Sequence, residues 1–167
     1  MKITEKEFLD KINEHKGILY KVTRMYCDEP EDREDLSQEI TLQLWKSIDT
    51  FKGNSQFSSW MYRVALNTAI VFFKKDKKRK NTTADIKIDP VAHKDYDRDK
   101  DKQLDCFYKA IKELNKLDKA LILLYIDGYS GKEIAENLGI TEVNARVKIN
   151  RAKKQLKRII KAQGYEF

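Results

Sequence analysis

From Asn81 to about Lys102 the apolar residues that recur at helical spacing elsewhere give way to Thr82, Thr83, Asp85, Asp89, Pro90, Asp95, Asp97, Asp99 and Asp101. A segment this polar buries too little apolar surface to offset the entropy of ordering it, so it predicts a linker. The 167-residue chain must then build two separate, modest cores. On either side of the break the spacing is helical, with no internal repeat and no alternation long enough for a sheet. The expected fold is all-α: two small helical domains, 1–80 and 104–167, joined by a flexible linker, 81–103, the second domain being a helix-turn-helix.

The first half divides at its own punctuation. Thr4 and Glu7 form a capping-box pattern, and Phe8, Ile12, Leu19, Val22 and Tyr26 continue one helix from it. Pro30, followed by Glu31 and Asp32, suits the first turn of a second helix with Leu36, Ile40, Leu44 and Ile48 as its buried stripe. A break at Lys52-Gly53-Asn54-Ser55 leads into a third helix with Phe57, Trp60, Met61, Val64, Val71 and Phe72 near one face. Beyond the linker the pattern resumes with Leu104, Phe107, Ile111, Leu114, Leu117, Leu121 and Leu124, and ends at Gly128.

Charge is segregated along this frame. Residues 1–50 carry eight basic and twelve acidic side chains, whereas residues 51–80 carry eight basic ones against Asp76 alone. Residues 128–167 carry nine basic against four acidic. Two basic surfaces flanking acidic or neutral ones point to nucleic acid at the former and a protein partner at the latter. Cys27 and Cys106 are far apart, and with His15 and His93 they complete no ligand spacing, so a disulfide framework or zinc site is not expected. No stretch reaches the ~18 apolar residues a membrane span needs, and Met1-Lys2-Ile3-Thr4 opens no signal-peptide run, so cytoplasmic residence is the expectation.

Three stretches carry functional chemistry. In Ser130 to Thr141, small Ala135 lets two helices approach, Gly139 permits a sharp turn, and Ile134, Leu138 and Ile140 supply a core, which are helix-turn-helix requirements. The following helix turns Ala145, Ile149, Ala152 and Leu156 inward and leaves Asn144, Arg146, Val147, Asn150, Arg151 and Lys154 outward or flanking. Arginine pairs with guanine and asparagine with adenine in a major groove, while Lys132, Lys148 and Lys153 suit phosphates. The second stretch joins six aromatics between Phe51 and Phe73 to the basic run Lys74 to Lys80. Rings stack on unpaired bases and cations neutralise phosphates. Ser59, Arg63 and Asn67 line up at i, i+4 and i+8, either as a base-reading stripe or as a solvated face; Trp60 and Phe72, each taken singly, suit a core better than a base contact. The third is Asp32 to Trp45, where Asp35, Gln38, Glu39, Leu42 and Trp45 lie beside the apolar stripe, as a wider buried face or as a surface for a basic partner helix.

In their order and spacing these stretches resemble the extracytoplasmic-function (group 4) sigma factors of the sigma-70 family, over nearly the whole chain. Asp35 to Trp45 looks like that family's core-polymerase-binding helix, Phe51 to Asn67 like its −10 recognition and melting segment, and Glu133 to Lys153 like its −35-reading helix-turn-helix. The resemblance implies an RNA polymerase sigma factor that binds core polymerase through its clamp helices and flap, recognises −35 and −10 elements and helps open the DNA, with no cofactor and no catalysis of its own. It implies promoter DNA, duplex and melted, and an anti-sigma factor as further partners. By position it assigns core binding to Asp35, Gln38, Glu39, Leu42 and Trp45. The −10 contacts fall to Phe51, Gly53, Asn54, Ser55, Ser59, Trp60, Arg63, Asn67, Lys74 and Lys75, and the −35 contacts to Lys132, Asn144, Arg146, Val147, Lys148, Asn150, Arg151 and Lys154. Two departures stand out: Leu114-Asn115 where the family usually has leucine-proline, and Asn144-Ala145-Arg146-Val147-Lys148 in the reading helix. The alternative is a free-standing helix-turn-helix regulator, which would bind duplex operator unaided. A nucleic-acid enzyme has no metal spacing, nucleophile–base pair or glycine-rich phosphate loop behind it.

Overall fold

The computed structural model describes residues 2–75 and 98–164, with side chains at 2–72 and 102–164. These residues form eight α-helices and, among them, no strand, as the all-α reading requires. The chain divides into two compact units, Met1–Ala92 and His93–Phe167.

In the first unit α1 (Glu5–Glu14) starts at the anticipated capping box. The Thr4 amide donates to Glu7 Oε2 at 2.8 Å and the Glu7 amide to Thr4 Oγ1 at 3.2 Å. The Thr4 backbone bond favours the carboxylate and holds the Glu7 carboxyl below its ordinary value. The single helix expected through Tyr26 is in fact two. His15 leaves the helical conformation (φ −111°, ψ 20°) between α1 and α2 (Lys16–Tyr26). Its ring stacks on Phe57, 5.5 Å between centroids, a tertiary contact that periodicity cannot show.

α3 (Pro30–Ser47) has proline in its first turn and acids beside it, and passes through a 3-10 turn, Ile48–Thr50, before α4 (Phe57–Lys75). Leu36, Ile40 and Leu44 are fully buried against α2 and α4. Ile48 is only half-buried, because the tighter turn rotates it off the stripe. On α4 the buried face centres on Met61, Ala65, Leu66 and Ala69. Val64 is half-buried and Val71 is exposed, contrary to the expected stripe. α4 packs on both α2 and α3, so its buried face is broad and small alanines set the close approach. Buried Thr23, Thr41 and Thr68 donate to the carbonyls of Leu19, Ser37 and Val64 at 2.7–2.8 Å, which satisfies their hydroxyls within the helix.

The second unit holds α5 (Arg98–Lys112), α6 (Lys116–Ile126), α7 (Gly131–Leu138) and α8 (Glu142–Ala162). α5 begins before the expected boundary at 104, so residues 98–103 are helical; residues 81–97 of the anticipated linker lie outside the described residues. The run from Leu104 to Gly128 is two helices, because Asn115 adopts an extended conformation and its side chain accepts from the Asp118 amide at 2.8 Å. The asparagine that departs from the family pattern is thus the N-cap of α6. Ala120 to Leu124 are all buried, which makes α6 the centre of this unit against α7 and α8.

The turn between α7 and α8 is built from three short-range devices. Ser130 and Glu133 form a reciprocal cap at the start of α7 (2.8 and 3.2 Å). Gly139 takes the left-handed conformation, φ 68° and ψ 34°, and its amide and that of Ile140 both donate to the Ala135 carbonyl. Thr141 then caps α8 through the Asn144 amide at 3.1 Å.

Gly139→Val places a β-branched residue in that left-handed turn and should destabilise the second unit by about 1–2 kcal/mol. The chain's two tryptophans, Trp45 and Trp60, both lie in the first unit. Urea unfolding followed by far-UV circular dichroism should therefore shift while the tryptophan-fluorescence transition stays in place. A joint shift of both signals would show that the turn supports more than its own unit.

Candidate nucleic-acid interface

Phe51 precedes the loop after the 3-10 turn, Phe57 opens α4, and Trp60 lies one turn on. Their ring centroids are 5.3–5.5 Å apart in edge and tilted arrangements. Lys11 Nζ stands 5.3 Å from the Phe57 centroid, and the His15 ring covers it from another side. This knot of rings closes the base of the loop that carries Gly53, Asn54 and Ser55, all three exposed. Gly53 takes φ 75°, a conformation that glycine reaches without strain. Trp60 is only 7% exposed, so its ring is a pillar of the loop and is not offered to an unpaired base. Phe51 is half-buried in the same knot.

Along α4, Arg63 and Asn67 are exposed and Ser59 is half-buried, one turn apart on the side away from Met61, Ala65 and Ala69. The polar stripe is therefore a surface that begins beside the loop and runs toward Lys74 and Lys75, the last residues of the helix. The rest of the basic run, from Lys77 to Lys80, lies outside the described residues.

On α3, Asp35, Gln38, Leu42 and Trp45 follow one another at intervals of three, four and three residues, a helical line opposite Leu36, Ile40 and Leu44. Asp35 is exposed, Gln38 and Leu42 half-buried, and Trp45 is 39% exposed with its ring edge against Phe8 at 5.0 Å. Glu39 borders this line and accepts from the Gln43 amide group at 2.9 Å. Leu42 and Trp45 do not belong to the fully buried stripe, but both are partly covered, Trp45 by its contact with Phe8.

On α8, Ala145, Ile149, Ala152 and Leu156 are buried, while Asn144, Arg146, Val147, Asn150, Arg151 and Lys154 are exposed and Lys148 is half-buried. Lys132 is exposed in the first turn of α7. Arg146 pairs with Glu142 at 3.2 Å on an open surface, a contact weak enough to exchange for a base or phosphate. One feature escaped sequence reasoning because it joins residues 28 apart. Lys153 Nζ donates to Tyr125 Oη at 3.0 Å and sits 4.4 Å from that ring, which lowers the phenol's pKa below its usual value. Tyr125, Gly131, Arg146 and Lys153 border a groove of about 340 Å³ between α6, the start of α7 and α8.

Two helical units, one presenting a polar stripe beside a glycine turn and the other a basic reading helix after a tight turn, define a two-part DNA-binding protein without a metal cluster among its described residues. The family models for Sigma-70 region 2 and Sigma-70, region 4, match residues 12–79 and 104–156, and the chain belongs to the sigma-70 family as an extracytoplasmic-function RNA polymerase sigma factor. It is 28% identical to RNA polymerase sigma factor SigV of Bacillus subtilis over 147 residues, covering 87% of this chain and 86% of the relative. With the ECF RNA polymerase sigma factor SigW of the same organism it shares 26% over 163 residues, covering 90% of this chain and 87% of the relative. Among solved structures it is similar in fold to RpoE bound to the anti-sigma factor NepR from Bartonella quintana (TM-score 0.68, 20% identity, 93% of this chain and 98% of that one). CnrH in complex with the cytosolic domain of CnrY is similar too (TM-score 0.66, 20% identity, 95% of this chain and 90% of that one).

Phe51→Ala removes one ring from the knot and should cost about 2 kcal/mol, less than the 3–5 of a fully buried phenylalanine. Trp60 lies against the deleted ring, so its emission should shift to the red in the folded state. An unchanged emission maximum would mean that the loop is held by something else.

Proposed function

We propose that the two units divide promoter recognition between them. The first docks on core polymerase through the Asp35, Gln38, Glu39, Leu42 and Trp45 face of α3, against the clamp helices. It captures the melted non-template strand of the −10 element with the Gly53–Ser55 loop, Ser59, Arg63, Asn67 and the lysines that end α4. Phe51 and Trp60 hold that loop rather than touch DNA. The second unit docks at the flap and reads the −35 duplex with Asn144, Arg146, Val147, Asn150 and Arg151, while Lys132, Lys148 and Lys154 meet phosphates. The supporting observation is that Arg63 and Asn67 stand exposed on a helix whose opposite side is fully buried, directly beyond a turn of exposed small polar residues. Flipping a base costs a few kcal/mol, which a fitted pocket offsets in part. The protein contributes binding and strand opening and no catalysis of its own. No helix among the described residues is long and apolar enough to cross a membrane, which fits the cytoplasmic site of transcription. RpoE and CnrH were each solved with a protein partner, NepR and the CnrY cytosolic domain, and an anti-sigma factor is the corresponding partner proposed here.

Leu42→Ala combined with Trp45→Ala should weaken capture by core polymerase while leaving the far-UV spectrum unchanged; undiminished capture would remove α3 as the docking face. Asn67→Ala should leave polymerase binding and −35 preference nearly intact but reduce permanganate-reactive thymines on duplex promoter. A pre-melted bubble should restore much of the lost transcription, because it removes the unpairing cost. Wild-type opening by the variant would make Asn67 a structural residue. Arg146→Ala should cost about 1–3 kcal/mol at one −35 base pair and relax preference there. A loss uniform across sequences would make Arg146 a phosphate contact instead.

A further inference from the structure

On α8, the line opposite the buried residues Ala145, Ile149, Ala152 and Leu156 consists of Val143, Val147, Asn150 and Lys154, at intervals of four, three and four residues. Its first two members are apolar: Val143 is 73% exposed and Val147 43%. Both precede the amide and ammonium groups of the same line, and both lie in the first two turns, the part of a recognition helix that comes nearest the base edges. A β-branched side chain on an open helical surface gives up propensity relative to alanine, and at Val143 little burial repays it; Val147 is partly covered and still presents 43% of its surface. Arg146 and Asn144 flank the pair, so a small apolar step sits inside a basic, hydrogen-bonding surface.

A major groove offers such a step one apolar group of comparable size, the 5-methyl group of thymine; the other base-edge features there are hydrogen-bond donors and acceptors or, at cytosine C5, a bare hydrogen. Resting on the proposal that α8 reads the −35 duplex, we infer that Val143 and Val147 form a methyl-reading pair. They select thymine at one or two neighbouring positions, next to the base addressed by Arg146. Val143 is thereby a specificity-determining residue, added to those assigned above.

The test uses holoenzyme assembled from the full chain and core polymerase, and a preferred −35 duplex selected from a randomised pool. Each thymine of that duplex is replaced in turn by deoxyuridine, which deletes the methyl group and leaves the pairing edge intact. Wild type should lose about fourfold in affinity at one or two adjacent positions, the equivalent of the ~0.8 kcal/mol that one buried methyl contributes. Val143→Ala and Val147→Ala retain a good helix former, and each should bind the thymine and deoxyuridine duplexes equally at its own position. Deoxyuridine tolerated everywhere by wild type, with Arg146→Ala still relaxing sequence preference, overturns the methyl contact and leaves the −35 reading standing. A penalty that persists in both valine variants overturns it as well. Failure of the holoenzyme to select any −35 sequence overturns the −35 reading of α8 together with the inference built on it.

Discussion

A helix at the edge of a unit this small can bury only one broad face, because the few neighbours available cover one side and leave the other to solvent. Except for α6, which is buried all round from Ala120 to Leu124 at the centre of its unit, the structure depends on that constraint. α3 commits Leu36, Ile40 and Leu44 to the core, so Asp35, Gln38, Leu42 and Trp45 are turned out. α4 commits Met61, Ala65 and Ala69, which turns out Arg63 and Asn67. α8 commits Ala145, Ile149, Ala152 and Leu156 and turns out Val143, Val147, Asn150 and Lys154. Each core line is thus also the device that aims an outward line proposed to contact polymerase or DNA, and a change in the register of one would redirect the other.

Most of this was legible in the sequence because the signals are short-range. A capping box spans three residues and an apolar stripe repeats every three or four, so Thr4–Glu7 and the inward face of α8 could be read directly, and the same three-residue signal is present, though not singled out, at Ser130–Glu133. The two missed breaks have different causes. Asn115 carries its own signal as a cap, but Leu114 and Leu117 continue the apolar spacing across it. His15 is held out of the helix by a ring 42 positions away, and nothing in its neighbourhood announces that contact. Trp60 illustrates the same limit. Among six clustered aromatics, the ones that pack on one another are distinguished only by tertiary packing, and the rings of the knot prove to be Phe51, Phe57 and Trp60.

The segregation of charge gains a physical reading from the fold. The acidic excess of residues 1–50 falls largely on α1 and α3, whereas the basic residues of α8 crowd the last forty positions. Polyanionic DNA is repelled from the former and drawn to the latter, and salt should weaken that attraction by releasing counterions. One chain can therefore engage a protein and a nucleic acid without either competing for the other's surface.

The reciprocal caps at Thr4–Glu7 and Ser130–Glu133, with the asparagine and threonine caps at Asn115 and Thr141, settle where helices begin through partners three residues away. Helix starts written so locally need no distant strand or loop to arrive first, and the loop-closure entropy that slows long-range topologies is small. During synthesis the first unit can complete α1 to α4 while the ribosome is still translating the second. The face proposed for polymerase would then exist before the helix proposed to read the −35 duplex, an order of birth set by the direction of synthesis and permitted by a few locally placed hydroxyls and carboxylates.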